Sequence, residues 1–167
     1  MEKEITEVYC GNGRGKTTLA IGQALRASSQ GKSVIIIQFL KGNERRELDF
    51  LEELDQLDIK IFRFEKMESC YDQLNEEEQA EEERNILNGL NFSRKVIATQ
   101  ECDFLVLDEI LGLLDKHIAT VDMVVGLLKQ KDESMHLILT GNRVDPGILD
   151  YVDSVTTITT LGREQNS

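Results

Sequence analysis

The sequence predicts an α/β fold, a mostly parallel sheet with helices on both faces, and three observations predict it. Short apolar segments of strand length alternate with segments of helical period along the whole chain. The run Val34 to Phe39 is continuously apolar and β-branched, the mark of a strand covered on both faces. A glycine-rich turn separates the first strand from the first helix, where open parallel sheets bind their ligands.

Ile5 to Tyr9 reads as the first strand. Lys16 to Ser29 reads as a helix, with Leu19, Ala20, Gln23, Ala24 and Ala27 at helical spacing and Gly31 as its stop. Val34 to Phe39 is the second strand, Glu44 to Leu54 a helix and Ile59 to Phe64 a third strand. The runs Glu76–Glu78 and Glu81–Glu83 form the solvated face of a helix that starts near Asn75. Ile86, Leu87, Leu90, Val96 and Ile97 supply its apolar positions. Phe104 to Leu107, His136 to Thr140 and Ser154 to Thr159 complete the strands. Val121 to Leu128 and Pro146 to Tyr151 are the remaining helices. No repeat, linker or second domain interrupts the series, so residues 1–167 read as one domain with right-handed crossovers. The tail from Gly162 to Ser167 is polar and reads as frayed.

The 167 residues can bury a full core without disulfides or structural metal. Lys and Arg number 19 against 31 Asp and Glu, a formal net charge of −12, which argues against nucleic acid as the main partner. It does not argue against a nucleotide, which backbone amides and one or two cations hold locally. Three scattered cysteines, Cys10, Cys70 and Cys102, make neither a disulfide framework nor a zinc site. No apolar run approaches the ~20 residues of a membrane span. A cytoplasmic location is the expectation.

The strongest chemical signal is Gly11-Asn12-Gly13-Arg14-Gly15-Lys16-Thr17-Thr18. Glycines let consecutive N–H groups turn inward into an anion nest, and the helix that follows adds partial positive charge. In this reading Lys16 reaches the terminal phosphates of ATP and Thr17 ligates Mg2+. The strict spacing asks for glycine where Cys10 stands; Cys10 reads as a space-filler. The second signal is the apolar strand ending in Asp108-Glu109, two carboxylates placed to hold magnesium directly or through water. Leu139-Thr140-Gly141-Asn142-Arg143 runs from a strand into a turn that offers Arg143 to the phosphates. Gln38 and Lys41 end the second strand as further candidate contacts. His117 and His136 are not placed for catalysis, and no serine or cysteine near the motifs makes a nucleophile.

Taken in order, these segments resemble the P-loop cob(I)alamin (corrinoid) adenosyltransferases. Val8-Tyr9-Cys10 through Thr18 is similar to that family's Thr-Gly-Asn-Gly-Lys-Gly-Lys-Thr-Thr run. Ala24-Leu25-Arg26-Ala27, Gly31, Gln38-Phe39-Leu40-Lys41-Gly42, Val106-Leu107-Asp108-Glu109-Ile110 and Leu139 to Arg143 follow at matching spacing. Leu149, Asp153 and Val155-Thr156 close the series. The resemblance implies a RecA-like fold, a homodimer, and transfer of the 5′-deoxyadenosyl group of MgATP to reduced cobalamin or another corrinoid, with triphosphate leaving. Lys16 and Glu109 are then the candidate catalytic residues, and Thr17, Asp108 and Glu109 the metal ligands. Arg14 stands where the family has lysine, Asn142 is inserted before Arg143, and Phe64 to Tyr71 holds no tryptophan where the best-known members carry Phe-Thr-Trp. Two other readings stay open from the residues: an ATP-binding relative with a regulatory role and no adenosylation, and a small-molecule kinase.

Overall fold

The computed structural model describes residues 3–40, 49–54, 56–64 and 70–162. Its elements are β1 (Thr6–Cys10), α1 (Lys16–Ser29), β2 (Val34–Gln38), α2 (Asp49–Glu52), β3 (Ile59–Arg63), α3 (Glu76–Thr99), β4 (Phe104–Asp108), α4 (Ile110–Asp115), α5 (Val121–Gln130), β5 (His136–Thr140), α6 (Pro146–Leu149) and β6 (Ser154–Thr157). The six strands form one sheet in the order β3-β2-β4-β5-β1-β6. Each pair is parallel.

Period-two alternation divides the core into two layers. Val34 and Ile36 pack with Ala20, Ala24 and Ala27 of α1 on one face. Ile35 and Ile37 pack with Ile86, Leu90, Val96 and Ile97 of α3 and with Val124 and Leu127 of α5 on the other. Both faces of β2 are therefore buried, which is why its sequence reads as an uninterrupted apolar run. Alanines on the inner face of α1 let that helix lie close to the sheet. Burial of each Ile or Leu in these layers stabilises the fold by about 1.5–3 kcal/mol.

Helix ends follow local chemistry. Asn75 accepts from the Glu78 amide while Glu78 returns a bond to the Asn75 amide, a capping box that starts α3 inside the acid-rich stretch. Thr120 and Met123 do the same for α5. Gly31, at φ +85, follows the end of α1 and lets the chain turn into β2.

The structure differs from the sequence reading at several ends and in one whole element. β1 runs to Cys10 and β4 to Asp108, while β2, β3 and β6 stop at Gln38, Arg63 and Thr157. Helix α6 ends at Leu149. Of the expected helix from Glu44, only Asp49–Glu52 falls among the described residues. Helix α4 was not expected. It begins directly at the strand's acids, with Glu109 at φ +63 and no side-chain cap, so no local signal announces it. Lys41, residues 65–69 and the tail from Arg163 lie outside the described residues.

Gly89 of α3 sits against the sheet so tightly that a Cβ would stand 2.6 Å from Phe64 Cγ and 2.8 Å from Phe39 Cε1. Gly89→Ala is expected to destabilise the fold by about 1–3 kcal/mol through overpacking. Thermal unfolding would show it as a lower Tm; an unchanged Tm would mean that this helix is free to move off the sheet.

At the opposite edge of the sheet from the strand ends described below, Lys32 Nζ donates to Glu4 Oε1 at 2.5 Å. This bond is the main reason the Glu4 carboxyl lies below its usual value of 4.5; desolvation opposes the shift and His136 supports it. A carboxyl lowered in the folded state contributes stability at pH above about 4.5, and the contribution is lost as pH falls through the lowered value. Glu4→Gln should therefore reduce stability near neutrality and flatten its decline on acidification. Denaturant unfolding of both proteins at about pH 6 and about pH 3 measures the difference. Equal slopes would show that this carboxyl does not set the acid limb.

Candidate functional site

The strand order brings the carboxyl ends of β4, β5 and β1 side by side. The glycine loop leaves β1, the two acids end β4, and Thr140 ends β5 between them. Sequence-distant motifs thus meet at one edge, where parallel sheets collect ligands.

Three glycines shape the loop for different reasons. Gly11 has φ +108, and a Cβ there would stand 2.3 Å from Ile158 O. At Gly13 the same oxygen would be 2.7 Å away. Gly15 has φ +101 with nothing within 4 Å of its Cβ position. One wall of the loop is therefore the chain beyond β6, and the other side is open. The Gly11 amide donates to Asn142 O at 2.8 Å and the Gly13 amide to Ile158 O at 2.9 Å. The Arg14 amide donates to Thr160 Oγ1 at 2.9 Å.

The first amides of any α-helix lack partners within it. At α3 and α5 a side chain supplies one; at α1 the N-cap is Gly15, which has no side chain to give. The start of α1 accordingly presents N–H dipoles toward the open side, a geometry suited to phosphate. Beside it a groove of about 620 Å³ is lined by Arg14, Gly15, Thr18, Leu19, Gly22 and Gln23.

Lys16 folds back over the loop. Its Nζ donates to Gly11 O at 2.6 Å and to Gly13 O at 3.3 Å. It also donates to Asn142 Oδ1 at 3.1 Å. These acceptors are neutral, and a phosphate oxygen would bind the ammonium more strongly than any of them.

Asp108 is fully buried. Its Oδ1 accepts from Thr17 Oγ1 at 2.9 Å and from Thr140 Oγ1 at 2.8 Å, and its Oδ2 accepts from Gln38 Nε2 at 3.2 Å. A loop hydroxyl and a strand-end carboxylate thus lie within reach of one small hard cation. Glu109 is half-buried. Its amide donates to Thr140 Oγ1 at 2.8 Å, and its Oε2 lies beside Gly112, 3.1 Å from where a Cβ would be. Among the described residues no group of three or more His, Cys, Asp or Glu side chains is arranged to hold a metal.

Of the residues singled out in the sequence, Gly11 to Thr18, Asp108, Glu109 and Gln38 are brought together. Gln38 is buried and supports Asp108. Arg143 is not brought to the loop: its Nε donates to Asp115 Oδ1 at 3.0 Å, and its side chain is 80% exposed. It borders a separate cavity of about 380 Å³ with His117, Thr120 and Asp145. The neighbouring Asn142 takes the place by Lys16. Asn142 and Thr140, which the motif reading quoted without a role, and Ile158, which it did not mention, are site residues as well. Thr140 had a signal, as a polar residue ending an apolar strand. Ile158 had none, because its approach to Gly11 depends on the whole sheet. The Cys102 thiol is pushed by burial to about 12, in keeping with a structural role.

The profile of the family described as ATP:corrinoid adenosyltransferase BtuR/CobO/CobP matches residues 2–165. The corrinoid adenosyltransferase of Escherichia coli K12 is 29% identical over 160 residues, covering 93% of this chain and 76% of that protein. The corrinoid adenosyltransferase CobA of Salmonella typhimurium is 28% identical over 158 residues, with the same coverage. Among solved structures, the KaiC-like protein PH0186 of Pyrococcus horikoshii OT3 superposes with a TM-score of 0.62 at 19% identity, over 93% of this chain and 71% of that one. The last likeness establishes the RecA-type P-loop architecture alone. The match of the family's profile across residues 2–165 shows that this chain belongs to the ATP:corrinoid adenosyltransferase BtuR/CobO/CobP family.

Proposed function

We propose that this protein transfers the 5′-deoxyadenosyl group of MgATP to the Co(I) of a corrinoid. The C5′–O bond breaks, a cobalt–carbon bond forms with the cobalt electron pair, and inorganic triphosphate leaves with the electrons of the broken bond. Family membership supports the reaction class. The observation that carries the nucleotide half is the 2.9 Å contact between Thr17 Oγ1 and Asp108 Oδ1 beside a helix whose N-cap is glycine.

Cobalt is the nucleophile in this reading, so the protein needs none. The task left to the chain is to aim C5′ and to stabilise charge on the departing triphosphate. The amides at the start of α1 and the Lys16 ammonium suit that task. Thr17 and Asp108 would hold magnesium, with Glu109 alongside; when bound, the ion neutralises charge on the leaving oxygens. Asn12, Arg14, Thr18 and Lys41 belong to the same reading as nucleotide contacts; Arg143, turned to Asp115, does not. A homodimer, which rests on the family resemblance, belongs to it too, as does a cytoplasmic location, the expectation drawn from the three scattered cysteines.

The test mixes protein, MgATP and chemically reduced cobalamin under anaerobic conditions and follows the cobalt absorbance and the phosphate product. Adenosylated corrinoid and triphosphate in equal amounts are expected. ADP would point to a kinase, ATP binding without corrinoid binding to a regulatory relative, and either result overturns the proposal. Glu109→Gln should weaken ATP binding in magnesium more than in its absence, measured by calorimetry. An equal loss in both conditions would remove Glu109 from the metal's surroundings.

A further inference from the structure

Four neighbouring strands end on polar residues at one level of the sheet: Arg63 on β3, Gln38 on β2, Asp108 on β4 and Thr140 on β5. Gln38 is the register partner of both Arg63 and Asp108. Leu107 pairs with Leu139, which sets Asp108 beside Thr140 at the next step. A continuous row of hydrogen bonds links them. Arg63 Nε donates to Gln38 Oε1 at 3.3 Å, Gln38 Nε2 to Asp108 Oδ2 at 3.2 Å, and Thr140 Oγ1 to Asp108 Oδ1 at 2.8 Å. Gln38 is 3% exposed, and Asp108 and Thr140 are 0% exposed.

The amide of Gln38 can satisfy both neighbours in only one orientation. A guanidinium only donates, so it requires the amide oxygen; a carboxylate only accepts, so it requires the amide nitrogen. Turned over, the amide would set its oxygen against the carboxylate of Asp108, an unfavourable contact in a buried setting. Arg63 therefore holds the amide the right way round, and the amide holds the carboxylate.

We propose that Arg63 is a positioning residue for the magnesium–ATP site, acting through Gln38 on the rotamer of Asp108. The inference rests on the nucleotide half of the proposed function. It predicts a selective defect. The amides at the start of α1 and Lys16 bind phosphate without the Arg63 row, whereas a cation shared by Thr17 and Asp108 needs that carboxylate held in place.

Calorimetric ATP titrations of the full chain, with and without magnesium, test this for Arg63→Met, Arg63→Lys, Gln38→Leu and the Met/Leu double variant, each checked by thermal unfolding. Arg63→Met should raise the magnesium concentration for half-maximal enhancement of ATP binding about tenfold and leave the metal-free Kd within about twofold. Lysine, which can still donate to the amide oxygen, should restore part of the loss. Gln38→Leu should reproduce the loss, and the double variant should add nothing to it. If Arg63→Met does not fold, Arg63→Gln takes its place in the comparison. An unchanged magnesium dependence, an equal loss without metal, or additive single effects would overturn the inference. These readouts do not involve a corrinoid, so failure of adenosyl transfer and failure of the Arg63 row are separate results.

Discussion

Replacing Lys16 by alanine is expected to weaken MgATP binding about a hundredfold while leaving the fold almost as stable as before. The ammonium touches two loop carbonyls and the Asn142 side chain. These are neutral acceptors near solvent, and water can take its place on them at little cost. A bound triphosphate changes the balance. Each charge-assisted hydrogen bond from the ammonium to a phosphate oxygen contributes about 1.5–3 kcal/mol. Loss of about 2.7 kcal/mol corresponds to a factor of about 100 in Kd. Calorimetry of MgATP binding reads the first effect and thermal unfolding the second. Affinity within about twofold of the wild type would mean that the phosphates do not lie under Lys16. A large fall in Tm would mean that the lysine serves chiefly as a clasp for the loop. Lys16→Arg, which keeps the charge but not the compact shape, should recover little of the affinity.

The same stretch shows what one-dimensional reading reaches and what it does not. Lys16–Ser29 was legible to the residue, because Gly15 and Gly31 punctuate both ends and alanines recur at the buried spacing. The central strands β2, β4 and β5 were legible as runs because burial on both faces leaves no polar residue inside them. Their ends were less so. Asp108 looks like the beginning of a loop, and Gln38 and Arg63 stand one residue short of where their strands read as ending, yet all three are the last paired residues and are linked across the sheet through Gln38. That row exists only after strands far apart in sequence have been set abreast, so no local pattern encodes it. Helix α4 was missed because apolar residues follow the strand acids without a cap or break. At the Gly141-Asn142-Arg143 turn, the residue type drew attention to the arginine, while the direction of the turn gives the contact to the asparagine beside it.

The three loop glycines are expected to fail in different ways when each is replaced by alanine, and the contrast separates packing from binding. At Gly11 the new Cβ would meet Ile158 O at 2.3 Å and Ile158 N at 2.9 Å, both backbone atoms, at φ +108. A backbone wall yields only if the β6 extension moves away, which would break the Gly13–Ile158 and Ile158–Cys10 hydrogen bonds. Steric strain, left-handed strain and broken bonds together should destabilise the fold by about 3 kcal/mol or more. For a domain of this size that is a fall in Tm of about 6–12 °C. Gly13→Ala meets the same oxygen at 2.7 Å and the Ile158 side chain at 2.9 Å. Its loss should be similar in kind and smaller, because its φ lies outside the strained range. Gly15→Ala meets nothing, so its cost is the backbone strain alone, about 1–2 kcal/mol. Its methyl would instead project into the open side of the loop, where the proposed triphosphate lies. ATP affinity should therefore fall most at Gly15 and stability most at Gly11. Thermal unfolding and calorimetry on the three variants decide the matter: if stability and affinity fall in the same order, the loop has no separate packing wall and binding face. If Gly11→Ala proves as stable as the wild type, Ile158 does not press on the loop in solution.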